Sequence, residues 1–404
     1  MTGLKRTLGL GECIFFGVGS ILGAGIYTLI GKVAGLAGNF IWLAFLIAFI
    51  AALFTAFSYA ELSAAYPKSG GEFVYATKAF GKKTGIFLGI IISLNGIISG
   101  ATVSIGFAGY LGALIGINLL VASLGIIVLI FLINISGIKH SSTMNIIFTI
   151  IEAIGLLFVI YIAFPSIGDV NYTELSPKGI DGLLTASVIA FFAYMGFEEI
   201  VKLAEETKNP EKTIPKALFI SSAIVIAIYT VVTICAVSII PYQQLGESQS
   251  PLADIADAKY GHTGIVIISV IALFATSNTI LSNMIGSSRV LFGMSEETKL
   301  LKLFSYVSIK RKTPIAALIL ILIITCGFAL IGNIETVARI ATIFIFITFI
   351  VVNLSVIVLR VKEKNMKRPY RIPLNIKNIP VISVLGIIMT LILLGYNIYG
   401  FIKP

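Results

Sequence analysis

Apolar residues along the chain fall into blocks of about 20, and short polar connectors separate these blocks. A helix needs about 20 apolar residues to cross the roughly 30 Å of hydrocarbon in a bilayer. A membrane β-barrel would instead show segments of about ten residues in which apolar and polar positions alternate. The pattern therefore predicts an all-α integral membrane protein, with residues 1–404 forming a single transmembrane domain.

The blocks predict eleven transmembrane helices, which are called spans here and numbered in chain order. Their predicted ranges are 10–36, 38–64, 84–112, 117–136, 145–164, 181–201, 217–240, 263–293, 314–332, 335–359 and 381–402. No cleavable signal is expected, because the short head of the chain runs directly into a long first span.

The composition excludes a soluble enzyme. Hydrophobic residues make up 57% of the 404 residues and charged residues 12%, whereas a soluble protein carries about 25% charged residues. The sequence has no nucleotide-binding loop, no Ser, His, Asp set and no cluster of metal ligands, and its three cysteines form no CxxC motif. We therefore expect no enzymatic activity, no catalytic residue, no metal site and no cofactor.

The net charge of +10 reports orientation in the membrane and gives no reason to expect a nucleic-acid partner. With the N-terminus inside, nearly all of the 29 Lys and Arg residues fall in inner connectors, as the positive-inside rule requires. The exceptions are Lys32, Lys178, Lys259, Arg339 and Lys403. The sequence thus predicts a multi-pass protein of the cell membrane with a cytoplasmic N-terminus and, after eleven spans, a C-terminus outside.

Two spans contain residues that favour a break in the helix. Span 1 carries Gly17, Gly19, Gly23 and Gly25, and each glycine costs about 1 kcal/mol of helix propensity. Span 6 carries FAYMGF at 192–197, directly before two glutamates. Interrupted spans at matching places in two sets of five indicate an inverted-repeat transporter with its site at the midplane. Close helix packing is the other explanation for glycine-rich membrane helices.

Five stretches in the same order resemble the amino acid, polyamine and organocation transporter superfamily. They are GVGSILGAGIY, YAELSAAYPKSGGEFVYATKAFG, FFAYMGFEEIVKLAEETKNPEKTIPKAL, ATSNTILSNMIGSSRVLFGMSEE and VNLSVIVLR followed by RPYRIPL. The sequence is similar to the bacterial and archaeal amino acid permeases and to the cationic amino acid transporter branch over nearly its whole length.

The resemblance implies a LeuT-like five-plus-five inverted repeat with broken spans 1 and 6. Residues 10–164 would form the first repeat, 181–359 the second, and 381–402 an extra span. The family commonly has twelve spans, so any dimer contact that involves the twelfth is in doubt.

The resemblance also implies a substrate site made mostly of backbone groups. An amino acid carboxylate would bind the amides of Gly23, Ala24 and Gly25, and its ammonium the carbonyls of Ile21, Phe192 and Met195. Relatives commonly place a hydroxyl where Ala24 stands, so one contact to the carboxylate would be absent. Phe192 matches the position of an aromatic lid over the substrate, with ordinary packing as the alternative.

Two asparagines are candidates for selecting the substrate side chain. Cationic transporters commonly carry a glutamate where this chain has Asn95, so its neutral amide favours neutral amino acids. Asn283 lies in a stripe of small and polar residues in span 8 that also includes Thr279. Such a stripe lines a cavity or packs closely against another helix, and a buried Asn95 bonded to a neighbouring helix is likewise the plainer alternative.

Glu152 is the candidate coupling residue. An acid inside a span is costly and marks a functional site by default. Many relatives carry a lysine at this position, so the sign of the charge is reversed here. A carboxylate withdrawn from water favours its protonated form, so Glu152 is expected to carry a proton, with sodium as the competing ion and a structural pairing as the plain alternative. Glu198 is expected to gate. Glu61 is expected to form a gate or interfacial ion pair, with a solvated charge as the alternative.

These observations together predict a secondary active transporter of amino acids that works by alternating access, with proton symport of neutral amino acids as the leading hypothesis. An amino acid or polyamine exchanger without ion coupling is the alternative. A membrane sensor would need a cytosolic domain or tail, and a channel would favour a continuous polar pore over two midplane breaks.

Overall fold

The computed structural model describes residues 6–402 except 7, 69, 137, 206 and 298–314. The described part contains fifteen α-helices and one short hairpin of strands Asn375–Ile376 and Ile379–Pro380. The helices are α1 (Leu10–Leu22), α2 (Ala24–Ala37), α3 (Ile41–Ala65), α4 (Gly71–Phe80), α5 (Lys82–Ile115), α6 (Leu119–Ser136), α7 (Ile138–Ala163), α8 (Gly179–Phe192), α9 (Pro210–Ile239), α10 (Tyr242–Glu247), α11 (Pro251–Tyr260), α12 (His262–Glu297), α13 (Ile315–Ala329), α14 (Ile334–Lys362) and α15 (Val381–Ile402).

Eight helical stretches within the described ranges are long and apolar enough to cross a membrane. The first, Leu10–Ala65, comprises α1, α2 and α3 and covers predicted spans 1 and 2. Two shorter apolar helices, Leu119–Ile135 and Ile315–Ala329, coincide with predicted spans 4 and 9. The chain is therefore an all-α multi-pass membrane protein. Lys403 and most of the predicted connector between spans 8 and 9 lie outside the described residues.

Span 1 is interrupted at Gly23, between α1 and α2. The prediction of a break in span 1 is confirmed, and of the four glycines that favoured it, Gly17 and Gly19 lie within α1. A Cβ on Gly19 would come 1.9 Å from Thr149 Oγ1, and a Cβ on Gly17 would come 2.4 Å from Ile200 Cδ1. The first two glycines thus serve close packing, while Gly23 marks the break.

Span 6 is interrupted after Phe192, where α8 ends and a turn leads into the 3-10 helix Phe197–Leu203. Gly196 has a φ of +119°, and a Cβ on it would come 2.2 Å from Ser20 O. The conformation and the close contact with span 1 both require glycine. Gly25 also allows span 1 to lie close to span 6, because a Cβ on it would come 2.4 Å from Ala193 Cα. The two interruptions therefore lie directly against each other.

The surrounding helices hold this junction in place. α2 packs on α8 and α1 on α9, while α5 packs along α12. α9 begins at Pro210, before predicted span 7, so Pro215 lies inside a helix and not in a connector. Pro215 is the sixth residue of α9, so its missing amide costs the helix one intrahelical hydrogen bond.

A buried ion cluster joins α3 to α14 and to the segment that follows α14. Glu61 is fully buried and pairs with Arg360, which is also buried, and with Arg368 at 3.2 Å. The amide of Ile372 donates to the same carboxylate at 2.9 Å. Glu61 is thus an ion-paired residue of the interior, and the alternative that it is solvated was wrong.

Candidate functional site

A cavity opens where the two interrupted helices meet and extends between α5 and α12. It holds about 40 Å³ of space that a water-sized sphere can occupy and is partly open to solvent. All eight predicted substrate residues and the predicted gate line it: Ile21, Gly23, Ala24, Gly25, Phe192, Met195, Asn95, Asn283 and Glu198. The fold therefore brings all eight predicted substrate residues and Glu198 into one cavity wall.

The amide end of this wall is the N-terminus of α2. α2 has fourteen residues, and the positive end of its helix dipole lies at this terminus. The amides of a helix N-terminus and this positive end both favour a carboxylate. The amide of Ala24 donates at 3.0 Å to the hydroxyl of Thr279 from α12. Thr279 thereby supplies an oxygen beside the position where relatives commonly have a hydroxyl of their own.

The carbonyl end of the wall is formed by the last turn of α1 and the turn after α8. The hydroxyl of Tyr229, from α9, lies 2.7 Å from Ile21 O and 3.1 Å from Ala193 O. Tyr229 is fully buried, so this hydroxyl holds the two interruptions together. A carbonyl oxygen has two lone pairs, so Ile21 O can still accept a hydrogen bond from a ligand.

The side of the cavity formed by α5 presents polar atoms that have no partner inside the protein. Asn95 is 6% exposed, and its Oδ1 has no hydrogen-bond partner within the described part of the chain; the same holds for Ser99 Oγ. Ser20 Oγ, from α1, is a third such atom in the same wall. Buried polar atoms are nearly always satisfied in folded proteins, so these atoms mark where a polar ligand would gain hydrogen bonds.

Four charged residues form the end of the cavity toward α4. Glu198 accepts from Gly196 N at 2.8 Å, Glu199 pairs with Lys202, and Glu72 accepts from Tyr59 OH at 2.9 Å. Burial raises the pKa of the Glu72 carboxyl above its usual range, and the nearby Lys202 ammonium opposes that shift. Each of the three carboxylates therefore already has a partner in the protein.

Glu152 lies outside this wall, on α7 behind α1 and α2. Its side chain is fully buried, and Asn278 Nδ2 donates to Oε1 at 3.1 Å. Oε2 has no partner among the described residues. The hydroxyl of Tyr27 donates to the backbone carbonyl of Glu152 at 2.7 Å. The residue thus links α7 to α12 and to the half-helix after the break.

Sequence reasoning missed the roles of four residues of the site. Thr279 stood in the polar stripe of span 8, and its place in the stripe was the available signal. Lys202 was counted only as a basic residue in a connector, and Glu72 was not considered. Tyr229 gave no signal beyond being a lone tyrosine in an apolar block.

Comparison with known proteins bears on what such a cavity does. A model of the family described as amino acid permease matches residues 8–401. The chain is 28% identical to the branched-chain amino acid permease BcaP of Bacillus subtilis, over 97% of this chain and 88% of that protein. It is 28% identical to the methylthioribose transporter of Bacillus subtilis, over 94% and 86%. It is 27% identical to cationic amino acid transporter 4 of Mus musculus over 90% of this chain, and spans 61% of the length of that protein.

Proposed function

Because the chain belongs to the amino acid permease family, and so to a family of membrane transporters of amino acids, we propose that it is a secondary active transporter of neutral amino acids that works by alternating access and proton symport. The observation that carries the proposal is the cavity between the two interrupted helices. In this proposal the amides at the start of α2 bind the carboxylate, and the carbonyls of Ile21, Phe192 and Met195, which line the cavity, bind the ammonium.

The proposal includes the repeat architecture expected from the sequence. Residues 10–164 and 181–359 form two inverted repeats, and 381–402 is an additional eleventh span. The interruptions at Gly23 and after Phe192 support this arrangement, because they fall in the first span of each repeat. We place the protein in the cell membrane with its N-terminus in the cytoplasm, on the distribution of Lys and Arg.

The preference for neutral amino acids rests on Asn95 and on the state of the carboxylates in the cavity. Asn95 offers a neutral acceptor, whereas a buried cationic side chain needs a partner charge. Glu72, Glu198 and Glu199 already have partners inside the protein. Phe192 is 5% exposed and covers the site as an apolar wall.

The substrate class is tested by thermal shift of the purified protein against the twenty amino acids and common polyamines. A ligand at 100 times its Kd adds about 2.7 kcal/mol of stability, so binders stand out clearly. We expect alanine, serine or a branched-chain amino acid to stabilise the wild type more than arginine or lysine does. Stabilisation by arginine with none by neutral amino acids would overturn the preference. The proposal also predicts that the variant Asn95→Asp gains lysine and arginine binding, because it introduces a negative charge at this position.

Proton coupling is assigned to Glu152, and Glu198 is assigned to gating. Glu152 is fully buried with no cationic partner in the described ranges, and a buried carboxylate without a counter-charge favours its protonated form. An ionised Glu152 would also offer oxygen to sodium, so the two ions must be separated by experiment.

The coupling experiment measures uptake into proteoliposomes under a pH gradient, a sodium gradient or neither. The variants are Glu152→Gln and, as a matched control, Asp257→Asn at an exposed carboxylate of α11. We expect the pH gradient to drive accumulation in the wild type and the control, and the Gln variant to equilibrate substrate without accumulating it. If the pH gradient drives the same accumulation in the Gln variant as in the wild type, the assignment is contradicted. If accumulation needs no ion gradient and requires only substrate on the opposite side of the membrane, the protein is an exchanger.

A further inference from the structure

A chain of hydrogen bonds leads from Glu152 to the substrate cavity. Glu152 Oε1 accepts from Asn278 Nδ2 at 3.1 Å, and Asn278 Oδ1 accepts from Asn145 Nδ2 at 3.0 Å. Asn145 Nδ2 also lies 3.4 Å from Ser282 Oγ, the longest of the three contacts. Ser282 lines the cavity, whereas Glu152 does not. Two amides therefore separate the carboxylate from the wall that a substrate would touch.

The buried setting fixes the direction of every bond in this chain. Glu152 is fully buried, and Asn278 and Asn145 are 1% and 6% exposed, so a donor that faces a donor is costly. An ionised carboxylate only accepts, and it therefore requires the nitrogen of Asn278 to face it. Asn278 then presents its oxygen to Asn145, which must answer with its nitrogen. Ser282 Oγ accepts from that nitrogen, and its own O–H is free to donate into the cavity.

A proton on Glu152 reverses the chain. The O–H on Oε1 would face the N–H of Asn278, so the amide must turn over, which exchanges two groups of nearly equal size. Asn145 then turns over as well, and its oxygen accepts from the hydroxyl of Ser282. A proton on Oε2 would avoid this, but Oε2 has no acceptor beside it in the described structure, and an unpaired buried donor is costly.

We propose that Asn278 and Asn145 form an amide relay through which protonation of Glu152 switches Ser282 from a hydrogen-bond donor to an acceptor toward the substrate cavity. The inference rests on the proposed coupling role of Glu152 and adds the positioning residues through which the proton and the substrate sense each other. Because binding free energies are linked reciprocally, substrate affinity then depends on the proton at Glu152.

Around physiological pH, Glu152 is the group in this region whose protonation can change the direction of the relay. The titratable groups that face it are Tyr27 of α2 and Tyr229 of α9, and tyrosine is neutral around physiological pH. Within the described ranges, α1, α11 and α12 place no charged group against it.

The test measures the Kd of a radiolabelled amino acid in detergent from about pH 5 to about pH 9. The probe is whichever of L-alanine, L-serine and L-leucine stabilises the wild type most. The variants are Glu152→Gln, Asn145→Leu and Ser282→Ala. The matched control is Thr276→Val on α12, since the hydroxyl of Thr276 bonds to Ala272 O of its own helix. Thermal unfolding checks that each variant is folded.

We expect the Kd of the wild type and of Thr276→Val to change about 3- to 10-fold over this range, which is the value of one hydrogen bond. The Kd of Asn145→Leu and Ser282→Ala should be nearly independent of pH although both retain Glu152. If these two follow the wild-type profile while Glu152→Gln is flat, the relay is wrong and the coupling role stands. If the Kd of the wild type does not depend on pH, the coupling role of Glu152 is overturned. If the Kd depends on pH only in sodium buffer and not in choline buffer, Glu152 binds sodium and the relay is overturned.

Discussion

The backbone amide of Ala24 donates a 3.0 Å hydrogen bond to the hydroxyl of Thr279, a residue 255 positions away in the sequence. This bond covers the first amide of the half-helix that begins after the break in span 1. A substrate carboxylate at the same place would replace or share it. The bond is therefore a convenient probe of whether the start of α2 binds the ligand.

We predict that Thr279→Val lowers the stability of the empty protein and enlarges the stabilisation that a bound amino acid provides. The empty variant leaves the amide of Ala24 without its partner, at a cost of about 1 kcal/mol, and a bound carboxylate restores it. Thermal unfolding with and without ligand measures both effects. An equal loss of stability in the two states would show that the carboxylate does not reach this amide.

Two tyrosines in one aromatic cluster allow the junction of the broken helices to be tested. The hydroxyl of Tyr229 bonds to Ile21 O and Ala193 O, whereas the buried hydroxyl of Tyr194 has no partner in the described structure. Their rings lie 5.3 Å apart. Tyr229→Phe and Tyr194→Phe therefore remove the same atom from neighbouring positions.

We expect Tyr229→Phe to lower the free energy of unfolding by about 1 to 2 kcal/mol and to weaken amino acid binding by about tenfold. Tyr194→Phe should leave both nearly unchanged. Thermal unfolding and equilibrium binding of the same preparations provide the comparison. Equal effects of the two variants would mean that the bridging hydroxyl is not what holds the carbonyls in position.

The buried cluster around Glu61 should respond non-additively to substitution. Glu61→Leu leaves the buried Arg360 without a counter-charge and should cost about 3 to 5 kcal/mol, because Arg360 is only 1% exposed. Adding Arg360→Leu removes that unpaired charge, so the double variant should be more stable than Glu61→Leu alone. Thermal unfolding of the wild type, both single variants and the double variant measures the difference. A double variant at the sum of the single losses would show that the ion pair is not the source of the effect.

Glu72 predicts a dependence of stability on pH. Burial raises the pKa of its carboxyl, so the folded state holds the proton at pH values where the unfolded state has lost it. Stability is therefore fully present below the ordinary pKa of the carboxyl and is lost as pH rises through the raised value. Glu72→Gln keeps an acceptor for Tyr59 and cannot ionise.

The Gln variant should therefore gain stability relative to the wild type at about pH 8 and lose that advantage at about pH 5. The melting temperatures of both proteins across this range provide the measurement. A constant difference between the two proteins would show that ionisation of Glu72 does not contribute.

The sequence alone indicated which two spans are interrupted. The interruption after Phe192 and the break near Gly23 could be predicted, because glycine weakens a helix wherever it stands. Composition could not separate Gly17 and Gly19 from Gly23, since all three carry the same propensity. Gly19 is helical because Thr149 of another helix packs against it, and a contact between distant segments leaves no periodic signal.

The sequence by itself determined that this is a helical membrane protein and that its first and sixth predicted spans are interrupted, because hydrocarbon thickness and glycine propensity act on consecutive residues. It also placed Asn95, Asn283 and Glu152 within spans. Only the tertiary structure decided that Thr279 covers the amide of Ala24 and that Tyr229 joins the two breaks. It alone decided as well that two asparagines lie between Glu152 and the cavity. These are single hydrogen bonds between side chains and distant backbone or amide groups, and their partners are set by how the helices pack in three dimensions.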